Sequence, residues 1–179
     1  MIYVLLANGF EEVEALAPID ILRRAGLALK TVGIGGRNIL GAHGIPVTAD
    51  ILPEEATEPI DLLFLPGGMP GASNLDASPE VDALLSRAVA EGARIAAICA
   101  APLVLGHRGL LRGKHAVCYP GFEAELEGAE IVEGARVLPD GNIITAVGMG
   151  AACELGLALV AILAGGEAAE RIASAAFIR

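Results

Sequence analysis

The sequence predicts one α/β domain, residues 1–179, in which helices cover both faces of an open and mostly parallel sheet. Short runs that are apolar at every position alternate with longer segments of helical composition, and this alternation is typical of right-handed βαβ units. Hydrophobic residues make up 54% of the chain and aromatic residues only 3%, so we expect a core of small aliphatic side chains packed closely.

Four runs are predicted to be buried strands because they are apolar on both faces, as strands of parallel sheets are. They are IYVLLA from Ile2, LKTVGIG from Leu29, DLLFLPGG from Asp61 and RIAAICA from Arg94. The segment RVLPDGNIITAVG contains turn residues between two short β-like runs and predicts a hairpin at the sheet edge. The segment HGIPVTADI near residue 43 favours a further short strand pair, and HAVCYP another strand.

Helices are predicted between these strands. Ser78 suits the N-cap of the helix that ends at Gly92, with Pro79 as its first residue. Pro18 lies inside the earlier helical segment, residues 11–26, and implies either a kink or a helix that begins there. A last helix is predicted from about Ala151 to Ala164, ended by the glycine pair that follows.

Composition excludes several classes of function. The chain has 22 acidic and 12 basic residues, a formal charge of -10 and no basic cluster, so nucleic acid is not an expected partner. Three cysteines are too few and too irregularly spaced for a disulfide framework or a zinc cluster, which favours a reducing cytosol. No signal peptide or membrane-spanning stretch is recognised, so we expect a cytoplasmic protein without membrane association, metal or cofactor.

Ligands of such sheets bind beyond the carboxyl ends of the strands, and the exit at Cys99 is the most informative. A buried strand delivers this cysteine directly into a helix start, with alanines on both sides, as in a nucleophile elbow. The helix N-terminus is expected to lower the pKa of the thiol below about 8.5. Cys118 and Cys153 fit the alternative of a core cysteine better.

Two other strand exits complete the candidate site. After the first strand, Glu11, Glu12 and Glu14 crowd a helix N-terminus, and Glu14 lies almost one turn in, where it can face inward over the sheet. Two adjacent anions repel, so Glu14 is expected to be the protonated partner of a thiolate. The glycine-rich segment 65–75 is compatible with an anion-binding nest or with a plain turn.

Three motifs in this order, GFEEVEALAPIDILRRAG, LFLPGGMPGASNL and AAICAAP, resemble the ThiJ/PfpI superfamily, specifically its DJ-one branch, that of the parkinsonism-associated deglycase. The resemblance covers nearly the whole chain and implies a flavodoxin-like, class I glutamine amidotransferase-like three-layer sandwich and a homodimer. It also implies that Cys99 is the nucleophile and oxidation site and Glu14 its partner. The backbone amides expected to face the sulfur or a substrate oxyanion belong to Gly67, Gly68 and Ala100.

The sequence differs from the motifs of this family branch at two places. Tyr119-Pro120 stands where relatives carry His-Pro, and residues 148–151 read Gly-Met-Gly-Ala in place of Gly-Pro-Gly-Thr. Tyr119 can donate a hydrogen bond to a substrate but is a poor base near neutral pH. Protease-like members place a histidine directly after the cysteine, so Ala100 argues against a protease triad. His43, His107 and His115 are expected to be structural or exposed.

The resemblance leaves three functions open. The first is a glutathione-independent glyoxalase or deglycase, in which Cys99 adds to a small 2-oxoaldehyde or a glycated adduct and Glu14 shuttles a proton. The second is a thiol redox sensor or chaperone that uses oxidation of Cys99 without turnover. The third is a noncatalytic domain that binds a small molecule.

Overall fold

The computed structural model describes residues 1–178, and its centre is a six-stranded sheet. Its strands are β1 (Ile2–Ala7), β2 (Leu29–Ile34), β5 (Leu62–Leu65), β6 (Arg94–Ile98), β9 (Val137–Asp140) and β10 (Ile143–Ala146). They lie in the order β2-β1-β5-β6-β10-β9, and all neighbours are parallel except the β9–β10 hairpin at the edge. The four buried strands and the edge hairpin predicted from sequence are confirmed.

Short strands form two small pairs outside the main sheet. They are β3 (Asn38–Leu40) with β4 (Pro46–Thr48), which is antiparallel, and β7 (His115–Ala116) with β8 (Glu130–Ile131), which is parallel. The pair near residue 43 is therefore confirmed. The strand predicted over HAVCYP is wrong beyond Ala116, because the Val117 N–H leaves the ladder and donates to Oγ1 of Thr145, 3.0 Å away.

Within residues 1–178, six α-helices cover the sheet. They are α1 (Glu12–Arg24), α2 (Gly71–Asp76), α3 (Pro79–Ala90), α4 (Pro102–His107), α5 (Ala152–Ala164) and α6 (Gly166–Ala176). Ser78 caps α3 by accepting the Val81 N–H at 3.3 Å, as predicted. Helix α1 is continuous from Glu12 through Pro18, so the alternative that it begins at the proline is wrong.

The prediction that the helix ending at Ala164 is the last one is also wrong. Gly165 adopts a φ of 91°, which ends α5, but the chain then starts α6 immediately and packs it against α5. The glycine pair acts as a sharp corner between two helices because glycine adopts positive φ without a steric penalty.

Alternate side chains of each central strand enter two separate cores. Tyr3 and Leu5 of β1 belong to the core under α2, α3 and α4, whereas Val4 and Leu6 belong to the core under α1 and α5. Each fully buried leucine of this kind stabilises the fold by about 1.5–3 kcal/mol. The predicted three-layer α/β sandwich is thereby confirmed, and no helix within residues 1–178 combines the length and apolar character needed to cross a membrane.

Candidate active site

Cys99 lies in the turn between β6 and α4, in the left-handed region with a φ of 64°. A residue with a β-carbon pays about 1–2 kcal/mol for this conformation, and such strain is concentrated at functional sites. The backbone is fixed on both sides, because the Cys99 N–H donates to the Ala146 carbonyl and the Cys99 carbonyl accepts the Tyr119 N–H, each at 2.9 Å. The thiol is only partly buried.

Glu14 occupies the first turn of α1 and is 1% exposed. Its backbone N–H donates to Oε2 of Glu11, the N-cap residue, at 2.6 Å. The Glu11 N–H in turn donates to the Gly67 carbonyl at 2.8 Å, which ties the helix start to the glycine-rich loop after β5. These bonds hold Glu14 over the carboxyl end of the sheet.

The side chains of Cys99 and Glu14 meet beside Gly67. A β-carbon placed on Gly67 would lie 2.5 Å from the Cys99 β-carbon and 2.5 Å from Oε2 of Glu14. It would also lie 2.7 Å from the carbonyl oxygen of Ile98, which belongs to the backbone and has little freedom to move. Glycine at position 67 therefore provides the space in which the thiol and the carboxyl group approach each other.

Burial raises the pKa of Glu14 to about 7, and the nearby charge of Glu11 acts in the same direction. The Cys99 thiol and the amides of Gly67 and Met149 oppose this shift. Oε2 of Glu14 is nevertheless buried without a hydrogen bond of good geometry among residues 1–178. A neutral carboxyl group is less costly in this position than a carboxylate, which supports the prediction that Glu14 carries a proton.

The thiol pKa differs from the prediction. Burial raises the pKa of Cys99 to about 12, and the charge and hydrogen bond of Glu14 add to the rise. The amides of Gly68 and Ala100 lower it, but α4 begins only at Pro102, so its N-terminus is displaced from the sulfur by the turn. With Glu14 ionised the thiol therefore stays protonated, and a thiolate requires that the single shared proton lies on Glu14.

The glycine-rich loop supplies its two amides to different partners. The Gly68 N–H lowers the pKa of the Cys99 thiol, whereas the Gly67 N–H lowers the pKa of Glu14. Gly68 has a φ of 91°, and a β-carbon there would lie 2.7 Å from the Gly9 carbonyl oxygen. The loop thus packs its backbone directly against the segment that follows β1.

Tyr119 and the carboxyl group of Glu14 both lie near Gly148. A β-carbon on Gly148 would lie 3.3 Å from Cδ2 of Tyr119 and 3.8 Å from Oε1 of Glu14. The departure from Gly-Pro-Gly-Thr at residues 148–151 is visible in the sequence, but the proximity of Gly148 and of the Met149 amide to Glu14 is not, because it joins distant segments of the chain. Glu14, Tyr119, Gly148 and Met149 therefore lie on one side of the site.

The remaining candidates lie apart from the reacting pair. Glu12 is 4% exposed and accepts hydrogen bonds from the N–H of His43 at 2.7 Å and of Ile45 at 3.4 Å, while its Oε2 lies 2.8 Å from Nδ1 of His43. Glu12 thus fixes the β3–β4 turn, and both its oxygens are occupied. Cys118 is buried as expected, but Cys153 is exposed, contrary to the expectation of a core cysteine.

His107 and His115 also have structural partners. The two ring nitrogens of His107 lie 2.9 Å from carboxylate oxygens of Asp76 and Glu125, which links α2 and α4 to the loop after β7. His115 Nδ1 lies 3.2 Å from Asp140. These contacts explain the two histidines without a role at Cys99.

The fold and site define a class of α/β sandwiches with a cysteine in left-handed conformation at a strand-to-helix elbow and a buried carboxyl group beside it. The chain belongs to the DJ-1/PfpI family, whose family model matches residues 1–162.

Relatives cover nearly the whole chain. The Parkinson disease protein 7 homolog of Danio rerio is 36% identical over 94% of this chain and 92% of its own. The glutathione-independent glyoxalase DJR-1.2 of Caenorhabditis elegans is 32% identical over 88% and 84%, and Deglycase PH1704 of Pyrococcus horikoshii is 31% identical over 79% and 86%.

Solved structures show the same fold. Drosophila melanogaster DJ-1beta superposes with a TM-score of 0.96 at 34% identity, over 99% of this chain and 97% of its own. Toxoplasma gondii DJ-1, described as oxidized, superposes with a TM-score of 0.93 at 37% identity, over 98% and 97%.

Proposed function

We propose that this protein converts small 2-oxoaldehydes, or the carbonyl adducts of early glycation, through Cys99 with Glu14 as proton shuttle. The proposal is supported by relatives named as a glutathione-independent glyoxalase and a deglycase. The observation that carries it is the approach of Cys99 and Glu14 beside Gly67, together with a carboxyl pKa of about 7.

The proposed reaction uses the single proton that Cys99 and Glu14 share. The sulfur adds to the aldehyde carbon C1, the carbonyl electron pair moves to oxygen, and that oxygen takes the proton from Glu14. The Glu14 carboxylate then removes the hydrogen on C1, and the electron pair moves to the oxygen on C2 to give an enediolate. Glu14 returns this proton to C2, and the proton of the C1 hydroxyl passes to the oxygen on C2 as the C1 carbonyl re-forms, which leaves a thioester of a 2-hydroxy acid. Water cleaves the thioester, releases the acid and restores the thiol. A group whose pKa lies near the working pH suits both directions of this transfer.

The amides of Gly68 and Ala100 have a defined part in this scheme. Both lie beside the sulfur, so they face the carbon that bonds to it and can donate hydrogen bonds to the oxygen that gains charge. Removal of one such donor costs about a hundredfold or more in enzymes that depend on it.

Turnover of methylglyoxal to lactate tests the proposal. We expect Cys99→Ser to abolish acid formation and Glu14→Gln to reduce it at least a hundredfold, about the contribution of a general acid–base. Cys118→Ser serves as the matched control because that thiol lies in the opposite core. Equal turnover in the wild type and Cys99→Ser would refute the proposed reaction.

Oxidation of Cys99 without turnover is the second candidate function. It is favoured by the partial exposure of the thiol and by the relative whose structure is described as oxidized. In a Cys153→Ser background, which removes the exposed thiol, mild peroxide should convert Cys99 to the sulfinic acid before Cys118 reacts. Peptide mass analysis that finds Cys118 oxidised first would contradict this function.

A further inference from the structure

Tyr119 has a backbone fixed to the nucleophile and a side chain that stays half in solvent. Its N–H donates to the Cys99 carbonyl at 2.9 Å, and its carbonyl accepts the Phe122 N–H at 3.2 Å. The residue is 51% exposed. The backbone of Tyr119 is therefore fixed to that of Cys99, and its aromatic side chain is accessible to a ligand.

One edge of the Tyr119 ring lies close to Gly148. A β-carbon on this glycine would lie 3.3 Å from Cδ2 and 3.9 Å from Cε2 of Tyr119, so one edge of the ring packs on the glycine backbone. The same point is 3.8 Å from Oε1 of Glu14, so the ring and the carboxyl group that delivers the proton both flank Gly148. Met149, the next residue, is 54% exposed and adds an apolar thioether to the same side.

The positions of Cys99 and Glu14 determine where a carbonyl compound binds in the proposed reaction. Its C1 must lie at the sulfur of Cys99, and the oxygen on C1 must reach the proton of Glu14. Gly67 and the Ile98 carbonyl leave no space beside the pair, whereas Tyr119 is half-exposed, so we place the substituent on C2 toward Tyr119. A methyl group covers little of the ring there, whereas a planar aromatic group can stack on it.

We propose that Tyr119 is a specificity-determining residue that favours 2-oxoaldehydes bearing an aromatic group on C2 over those bearing methyl. The inference rests on the proposed function, which makes a 2-oxoaldehyde the substrate. Because the backbone of Tyr119 is already hydrogen-bonded to Cys99, no backbone conformational entropy has to be lost at this residue when the substrate binds.

Reversible addition to Cys99 tests this inference without requiring turnover. In the addition, the sulfur–carbon bond forms, the carbonyl π pair moves to oxygen, and Glu14 supplies the proton. Protection of Cys99 from iodoacetamide is measured with phenylglyoxal and with methylglyoxal in a Cys153→Ser background, by the mass of the Cys99 peptide. The ratio of the two protecting concentrations is compared between variants, so that intrinsic reactivity of each aldehyde cancels.

We expect Tyr119→Phe to keep the wild-type ratio within about twofold and Tyr119→Ala to lower the preference for phenylglyoxal about five- to tenfold, the value of one aromatic stacking contact. Val89→Ala, at an exposed apolar residue of α3, is the matched control and should leave the ratio unchanged. Should Tyr119→Ala fail to fold, Tyr119→Leu keeps the bulk, removes the aromatic face and should show the same loss.

An unchanged ratio in the folded Ala or Leu variant would overturn the inference, as would an equal loss in Tyr119→Phe, since the hydroxyl would then be responsible. Lactate and mandelate formation are measured in parallel. If phenylglyoxal protects Cys99 preferentially through Tyr119 but neither acid forms, the proposed enzyme is refuted and the inference is still supported. If the acids form but the protection of Cys99 does not depend on Tyr119, the inference alone is refuted.

Discussion

Cys99 and Glu14 approach each other across a missing side chain: the β-carbon that Gly67 lacks would lie 2.5 Å from each of them. The two groups compete for one proton, because burial raises both the pKa of Glu14, to about 7, and the pKa of Cys99, to about 12. A thiolate at Cys99 therefore requires that the shared proton lies on the carboxyl group of Glu14. Four predictions follow from this pair and its surroundings.

Glu14→Gln should stabilise the protein at alkaline pH. A carboxyl pKa raised from 4.5 to about 7 means that the folded state holds a proton that the unfolded state has lost. The stabilisation from this proton is complete below the pKa of the unfolded state and disappears as the pH rises through 7. The wild type therefore loses about 2–3 kcal/mol of its free energy of unfolding, whereas the uncharged Glu14→Gln variant does not. Urea unfolding should show the variant more stable at about pH 8 and similar to the wild type at about pH 5.

Glu12→Gln is the matched control for this experiment. Burial works to raise the pKa of Glu12, but hydrogen bonds from His43 outweigh it and lower the pKa overall. A lowered folded pKa contributes stability above the unfolded value and loses it as the pH falls. The control should therefore destabilise the protein at about pH 8, and the same sign of change in both variants would contradict the assignment of the proton to Glu14.

Cys99→Gly should give a more stable protein than Cys99→Ala. Glycine adopts the left-handed conformation seen at this position, φ 64°, without the penalty of about 1 kcal/mol that alanine pays. At Cys118, which lacks a positive φ, the order should reverse because glycine loses more backbone entropy. Thermal unfolding of the four variants measures both differences in stability. If the same residue, glycine or alanine, gave the more stable protein at both sites, the backbone at Cys99 would not be strained.

Gly67→Ala should impair both the fold and the site. The added methyl group would lie within 2.5–2.7 Å of Cys99, Glu14 and the Ile98 carbonyl, and the last of these cannot move aside. We expect a loss of about 1–3 kcal/mol in stability and a large drop in the alkylation rate of Cys99. Gly150→Ala has open space around its β-carbon position and should change neither quantity. A tolerated alanine at position 67 would show that the pair is not confined as described.

The sequence predicted the scaffold because its signals are local. Apolar runs fix the strands, Ser78 and Pro79 start a helix, and Cys99 directly follows a buried strand, which is enough to place it at the carboxyl edge of the sheet. The pairing with Glu14 also followed, since the two residues leave the ends of strands that share one edge of the sheet.

Other properties depend on contacts between distant segments. The direction of the Cys99 pKa shift is set by burial and by a carboxyl group 85 positions earlier in the numbering, against a helix start that the turn at Ala100 displaces. The separate partners of Gly67 and Gly68 depend on how the loop folds over α1. The exposure of Cys153 depends on which face of α5 meets α1, and an almost wholly apolar helix gives no pattern from which to tell.

The pH dependence of Cys99 alkylation tests the shared proton most directly. Rates with iodoacetamide are measured on the Cys99 peptide in a Cys153→Ser background, for the wild type and for Glu14→Gln. We expect two inflections for the wild type, one near pH 7 where the pair loses its first proton and one at alkaline pH, and a single inflection for the variant. Superimposable single-step profiles for the two proteins would contradict this expectation.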